Sequence, residues 1–81
     1  MSYLTLDRLP FFKNACIYKI NLTDDNSLRL KDLGFIEGEP IKSLLKSPFG
    51  DIQAYYILDS IIAIRKETAK NIEVIIWNLM K

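Results

Sequence analysis

The sequence predicts a small, mainly β domain, curled into a closed or half-closed barrel with one short helical insert. Two observations carry this. Five short β-patterned runs follow one another at close spacing, separated by turn residues. Between the first two runs lies a single helix-period segment, Leu28 to Pro40, which reads LRLKDLGFIEGEP. Eighty-one residues make one domain, 1–81, since domains run from roughly 50 to 250 residues. A chain this short buries only about 60% of its unfolded surface, so its core must be dense. A hydrophobic content of 49%, with 11% aromatic, allows that.

The elements follow in order. Ser2–Phe12 forms an arm in which Thr5, Asp7 and Arg8 start one helical turn and Pro10 ends it. Phe11 and Phe12 then sit at the lip of the first strand, Ala15–Leu22. There Cys16, Tyr18, Ile20 and Leu22 alternate with Ala15, Ile17, Lys19 and Asn21. The first set is the more apolar, although Ala15 and Ile17 admit a bulge. Asn26 or Ser27 caps a helix beginning at Leu28. Its stripe is Leu28, Leu30 and Leu33, with Arg29, Lys31 and Asp32 in water. Gly34 ends it in the left-handed region, and Leu33 with Gly34 closes one end of the barrel. Gly38 makes a tight turn, and Pro40 fixes φ before the second strand, Ile41–Ser47.

Ser47-Pro48-Phe49-Gly50-Asp51 is a turn by composition, leading into the third strand, Ile52–Leu58. Asp59-Ser60 is a two-residue connection to the fourth, Ile61–Ile64. Arg65–Lys70 reads as a polar corner with one 3₁₀ turn, and Glu73–Trp77 as the last strand. Alternation points Tyr55, Ile57, Ile62, Ile64, Ile72, Val74 and Ile76 inward. It sends Tyr56, Leu58, Ile61, Ile75 and Trp77 outward.

Composition narrows function. Eleven basic and ten acidic residues leave a net charge of +1, which argues against general nucleic-acid binding and against a polybasic membrane anchor. No run approaches the roughly 20 apolar residues of a membrane span, and no signal peptide is visible. With Cys16 the sole cysteine, no intrachain disulfide forms, and a reducing, cytoplasmic setting is expected. The chain has no histidine, so no Ser-His-Asp or Cys-His set exists, and no GxxxxGK[ST] phosphate loop is present. Asp24 and Asp25, and Glu37 and Glu39, read as solvated loop carboxylates rather than metal ligands. Cys16 reads as a buried structural thiol, and Arg65-Lys66 as a solvated corner. No catalytic residue, metal site or cofactor is expected.

What remains is apolar surface. Tyr56, Leu58, Ile61 and Trp77 outside the barrel exceed what an ordinary monomer exposes. Either the register is off by one, or the arm at Tyr3-Leu4 and the tail cover each other, or these residues form a docking or self-association surface. Phe49, at a hairpin tip, is a second docking candidate.

Several residues together resemble a family. Leu30, Asp32-Leu33-Gly34, Gly38, Pro48-Phe49-Gly50-Asp51, Ala63-Ile64-Arg65, Ala69 and Ile72 are similar to the pattern of FeoA proteins, from about Leu4 to Ile75. The resemblance implies an SH3-like barrel of five to six strands with one short helix inserted after the first strand. Leu33, Gly34, Gly38, Pro40 and Gly50 would be its structural residues. It implies a cytosolic accessory protein of bacterial ferrous iron uptake. Its partner would be FeoB, a membrane-embedded transporter with a cytosolic GTP-binding domain. The chain departs from the pattern at Asp59, where such chains commonly place glycine, and in apolar residues at several outer strand positions. Two alternatives remain: a regulatory module acting on an iron-dependent repressor, and a small nucleic-acid-binding barrel whose aromatics stack on bases.

Overall fold

A computed structural model describes residues 2–21 and 25–76. Its elements are β1 (Ser2–Thr5), a 3₁₀ turn (Leu6–Arg8), β2 (Asn14–Ile20), α1 (Asp25–Asp32), β3 (Pro40–Lys46), β4 (Ile52–Ile57), β5 (Ser60–Arg65), α2 (Lys66–Ala69) and β6 (Ile72–Ile76). The strands form one antiparallel sheet in the order β1-β6-β2-β3-β4-β5. The fold is therefore mainly β and SH3-like. The arm supplies a sixth strand, which pairs Tyr3 with Ile75 and Leu4 with Val74. The arm thus lies along one edge of β6.

The sheet curls around one core in which Leu6, Ile17, Phe35, Tyr55, Ile57, Ile72 and Val74 are almost wholly excluded from water. Inward alternation holds in β4, β5 and β6, with Ile62 packed at the core's margin. In β2 the phase is the reverse of the expected one. Ala15 and Ile17 are buried, Cys16 is half-buried and Tyr18 is exposed. The cause is a bulge. β2 shifts register against β6 between Ile17 and Lys19, which turns Tyr18 out and brings Ile20 back to the core margin. Tyr18 then meets Tyr3 edge-on, with ring centroids 5.0 Å apart.

The helix starts at Asp25, three residues before the expected point, so Asn26 and Ser27 lie inside it rather than capping it. Its end is a Schellman motif. The Phe35 N–H donates to Leu30 O at 2.9 Å and the Gly34 N–H to Lys31 O at 3.0 Å, with Gly34 at φ +103°. The next residue makes the core contact: Phe35 is 0% exposed, whereas Leu33, expected to close the barrel, is 44% exposed. A Schellman stop reverses the chain, so the residue after the glycine, not the one before it, folds back over Leu30. Glu39 N–H then closes on Ile36 O at 3.1 Å, a turn with Gly38 at φ +95° in its third place. Pro40 opens β3, a position where its missing N–H is tolerated. The corner after β5 is a single α-helical turn rather than a 3₁₀ turn, closed by Lys70 N–H on Lys66 O at 3.0 Å.

β1 and β5 are the two edges of the sheet, and the 3₁₀ turn is tied to β4 by buried polar groups. Gln53 Nε2 donates to Asp7 O at 3.3 Å, and the Tyr55 hydroxyl is shared between Leu6 O at 3.2 Å and Gln53 Oε1. Burial, with the Asp7 carboxylate as a lesser cause, holds the Tyr55 hydroxyl well above its ordinary pKa of 10.0. Tyr55→Phe leaves both acceptors without their donor and is expected to cost about 1–3 kcal/mol. A raised folded-state pKa means that the contribution is complete below the unfolded pKa, near 10, and is lost as pH climbs above it. Wild-type stability should therefore fall above about pH 10, and Tyr55→Phe should lack that part of the slope. Urea titrations at pH 8 and pH 10.5 test this. Parallel pH dependence in the two proteins would show that Tyr55 is not the group.

Candidate docking surface

The outward side of β3, β4 and β5 is built from cross-strand neighbours. Tyr56 faces Ile61, Ala54 faces Ala63 on one side and Leu45 on the other, and Ile52 faces Arg65. Residues directly opposite in an antiparallel pair share a face, so these side chains line one side of the sheet, with Ala54 buried between its larger neighbours. Ile61 is 68% exposed and Leu45 59%, with Tyr56 and Ile52 also exposed. Leu45 is an addition to the expected set. Counting alternately from Ile41 and Ser43, both buried, would turn Leu45 inward. A register shift between Ser43 and Leu45 adds one residue and turns it out. Two adjacent leucines, Leu44-Leu45, are the signal that period-2 counting passes over.

The β4–β5 connection is also displaced by one residue from its expected place. Ile57 pairs with Ser60, so the two loop residues are Leu58 and Asp59, at φ +49° and +62°. Both lie in the left-handed region, as a type I′ hairpin turn requires. Asp59 tolerates the conformation, because a short polar side chain visits that region more readily than most. Leucine there costs about 1–2 kcal/mol. Two contacts hold the tip. The Tyr56 hydroxyl donates to Asp59 Oδ1 at 2.9 Å, which raises the Tyr56 pKa through that hydrogen bond and the carboxylate's charge. The Leu58 side chain lies directly over Gly34, where any added Cβ would meet its Cδ1. Beneath the tip, a groove of about 360 Å³ is lined by Asn14, Pro40, Lys42, Tyr56, Leu58 and Asp59, among others.

Tyr56, Leu58 and Ile61 are thus brought together. Phe49 is not with them. It is 94% exposed in the β3–β4 turn, at the other end of β4, about 20 Å away for six residues at roughly 3.4 Å each. That turn is well determined by its hydrogen bonds. Gly50 N–H donates to Ser47 O at 2.8 Å, and Ser47 Oγ donates to Asp51 Oδ1 at 2.6 Å. The serine bond is the main reason that the Asp51 carboxyl sits below its ordinary pKa. Gly50 takes φ +75°. Trp77, the remaining docking candidate, lies outside the described residues, as does Asp24. Glu37 is exposed and Glu39 half-buried. Among the described residues, no group of three or more His, Cys, Asp or Glu is placed to hold a metal ion. No helix among them is long and apolar enough to cross a membrane.

Comparison with known proteins agrees with this architecture. The model of the FeoA domain matches residues 4–76. No curated protein sequence matches the chain. Among solved structures, FeoA from Chlorobium tepidum superposes with a TM-score of 0.88 at 24% identity, covering 96% of this chain and 74% of that one. Iron(II) transport protein A from Clostridium thermocellum gives 0.86 at 30% identity, covering 90% of this chain and 45% of the other. This chain therefore spans less than half of that protein. FeoA from Stenotrophomonas maltophilia, solved with zinc and described as a procaryotic SH3 domain protein, gives 0.74 at 28% identity over 88% of each chain. A family pattern running through nearly every element described above, from the arm strand to β6, makes this chain a member of the FeoA domain family.

Proposed function

We propose that this chain is a single-domain cytosolic accessory protein of bacterial ferrous iron uptake. It acts by docking on the cytosolic part of a FeoB-type transporter, not by catalysis. The Clostridium thermocellum relative is an iron(II) transport protein, and the Stenotrophomonas maltophilia relative has been put forward as a ferrous iron transport activating factor. The observation that carries the docking reading is the β4–β5 hairpin. An exposed band through Tyr56 and Ile61 ends at Leu58, an apolar residue kept in a conformation that disfavours it. Strain of this kind persists where the surroundings hold it and the side chain has a use. Tyrosine beside exposed aliphatics is the composition of an interface anchor.

Leu58→Asn separates docking from folding. Asparagine accepts the left-handed region better than leucine, which offsets the lost contact over Gly34, so the variant should melt near the wild-type temperature. Binding to the immobilised cytosolic GTP-binding part of the transporter should weaken by about tenfold or more, as expected for a central anchor. Unchanged affinity would remove the hairpin tip from the interface. If folded wild-type protein does not bind at high micromolar concentration, the partner assignment itself fails.

A further inference from the structure

β5 ends the sheet, and its outer edge carries a regular row of hydrogen-bonding groups. Lys66 N–H donates to Asp51 O at 2.8 Å, which sets the phase of the β4–β5 ladder. Antiparallel pairs alternate between bonded and non-bonded positions. Gln53–Ile64, Tyr55–Ile62 and Ile57–Ser60 share the phase of Asp51–Lys66 and are the bonded pairs. The N–H and C=O groups of Ile61 and Ala63 and the N–H of Arg65 therefore point away from β4, whereas the Arg65 C=O, at the N-cap of α2, starts that helix. Among the described residues, none of these groups has a backbone partner in the loops, and no strand lies beyond β5. Natural edges are usually blunted by lysine, proline or a bulge. From Ser60 to Ile64, β5 has no proline and no charge, and it pairs with β4 without a register shift.

A groove of about 270 Å³ runs beside this edge, between α1 and β5. Leu30, Leu33, Ala63 and Ile64 make its apolar part, and Arg29 and Arg65 are its charged lining; among the described residues, no carboxylate lines it. We propose that the β5 edge takes an extended, acidic segment of a partner protein as a seventh strand. The outward N–H and C=O groups demand an extended backbone, the β-augmentation mode of recognition. Alternate side chains of such a strand face the groove, where aliphatics are matched to Leu30 and Leu33. The intervening ones share the outer face with Arg65, where carboxylates are matched. A second copy of this chain fits less well, because its own β5 brings Arg65 and Lys66 to a rim that is already basic. The edge shares Ile61 with the band that ends at Leu58 but uses its backbone rather than its side chain, and its test needs no transporter.

The probes are three acetylated, amidated hexapeptides: Glu-Val repeated three times, Lys-Val repeated three times, and the acidic peptide N-methylated at alternate residues. The readouts are amide chemical shifts and hydrogen exchange of the full chain. The acidic peptide should shift and protect the amides of Ile61, Ala63 and Arg65. The N-methylated form should bind roughly tenfold more weakly, having lost one or two backbone hydrogen bonds. Arg65→Glu, an exposed substitution that spares the core, should reverse the preference between the acidic and basic peptides. The inference is overturned if the three amides already exchange as slowly in the free protein as those of Ile62 and Ile64. It is equally overturned if roughly millimolar acidic peptide, a weak but measurable regime, leaves them unchanged. Equal binding of the acidic and basic peptides would overturn the charge assignment.

Discussion

Gly34→Val is expected to lower the melting temperature by at least about 10 °C. Two costs combine. A non-glycine residue at φ +103° is strained by about 1–2 kcal/mol. An added Cβ also runs into Leu58, whose Cγ would be 3.1 Å away, and overpacking of this kind costs about 1–3 kcal/mol. In a domain of this size each kcal/mol moves the midpoint by about 4–8 °C. The two costs can be separated. Gly34→Ala combined with Leu58→Ala removes the overlap and keeps the backbone strain, so the double variant should be more stable than the sum of the singles implies. Additivity to within about 0.5 kcal/mol would mean that Leu58 does not sit over Gly34. An unchanged melting temperature for Gly34→Val would remove the left-handed helix stop altogether.

Phe35→Ala should be the most damaging truncation near α1, at about 3–5 kcal/mol, because it empties a fully buried aromatic site. Leu33→Ala, two residues earlier, should cost less than about 1 kcal/mol, as expected for a partly exposed side chain. Urea unfolding at 25 °C checks the ranking. If Phe35→Ala does not fold, Phe35→Leu supplies the measurement, with an expected cost of roughly 1–2 kcal/mol from the smaller lost volume. The reverse order would place Leu33, not Phe35, over the end of the barrel.

These two residues show how far period counting reaches. Leu28, Leu30 and Leu33 look like one stripe, and counting alone treats them alike. The chain reversal at Gly34 decides which hydrophobic group near it is buried, and that reversal favours Phe35. The same holds in the strands. Alternation sorts Tyr55 from Tyr56 and Ile64 from Ile61, because β4 and β5 pair without interruption. It misplaces Ile17 and overlooks Leu45, because each strand gains a residue at a bulge. Apolar neighbours such as Ala15 to Ile17 and Leu44-Leu45 admit a bulge, but its place is set between neighbouring strands, so one strand's sequence does not fix it.

The candidate surface was legible in the same uneven way. Tyr56 and Ile61 were readable as outward from alternation. Leu58 was also expected outward, but as a strand residue; its place in the turn was not legible, because the hairpin turns at Leu58-Asp59 instead of Asp59-Ser60. A leucine in a left-handed turn runs against local preference, and only tertiary contacts hold it there: Tyr56 on Asp59, and Leu58 across Gly34. Phe49 was readable as exposed, but its distance from the other candidates depends on the length and direction of β4.

By itself, the sequence determined the fold class, the glycine stops at Gly34, Gly38 and Gly50, and the inward faces of β4, β5 and β6. Each of these rests on local backbone preference or on a two-residue period, and such preferences act over a few neighbouring residues. The tertiary structure alone decided the arm's place beside β6, the phase of β2, the burial of Phe35 and the free edge at β5. Each of those is set by which strand lies next to which, through hydrogen bonds and packing between residues far apart in the chain.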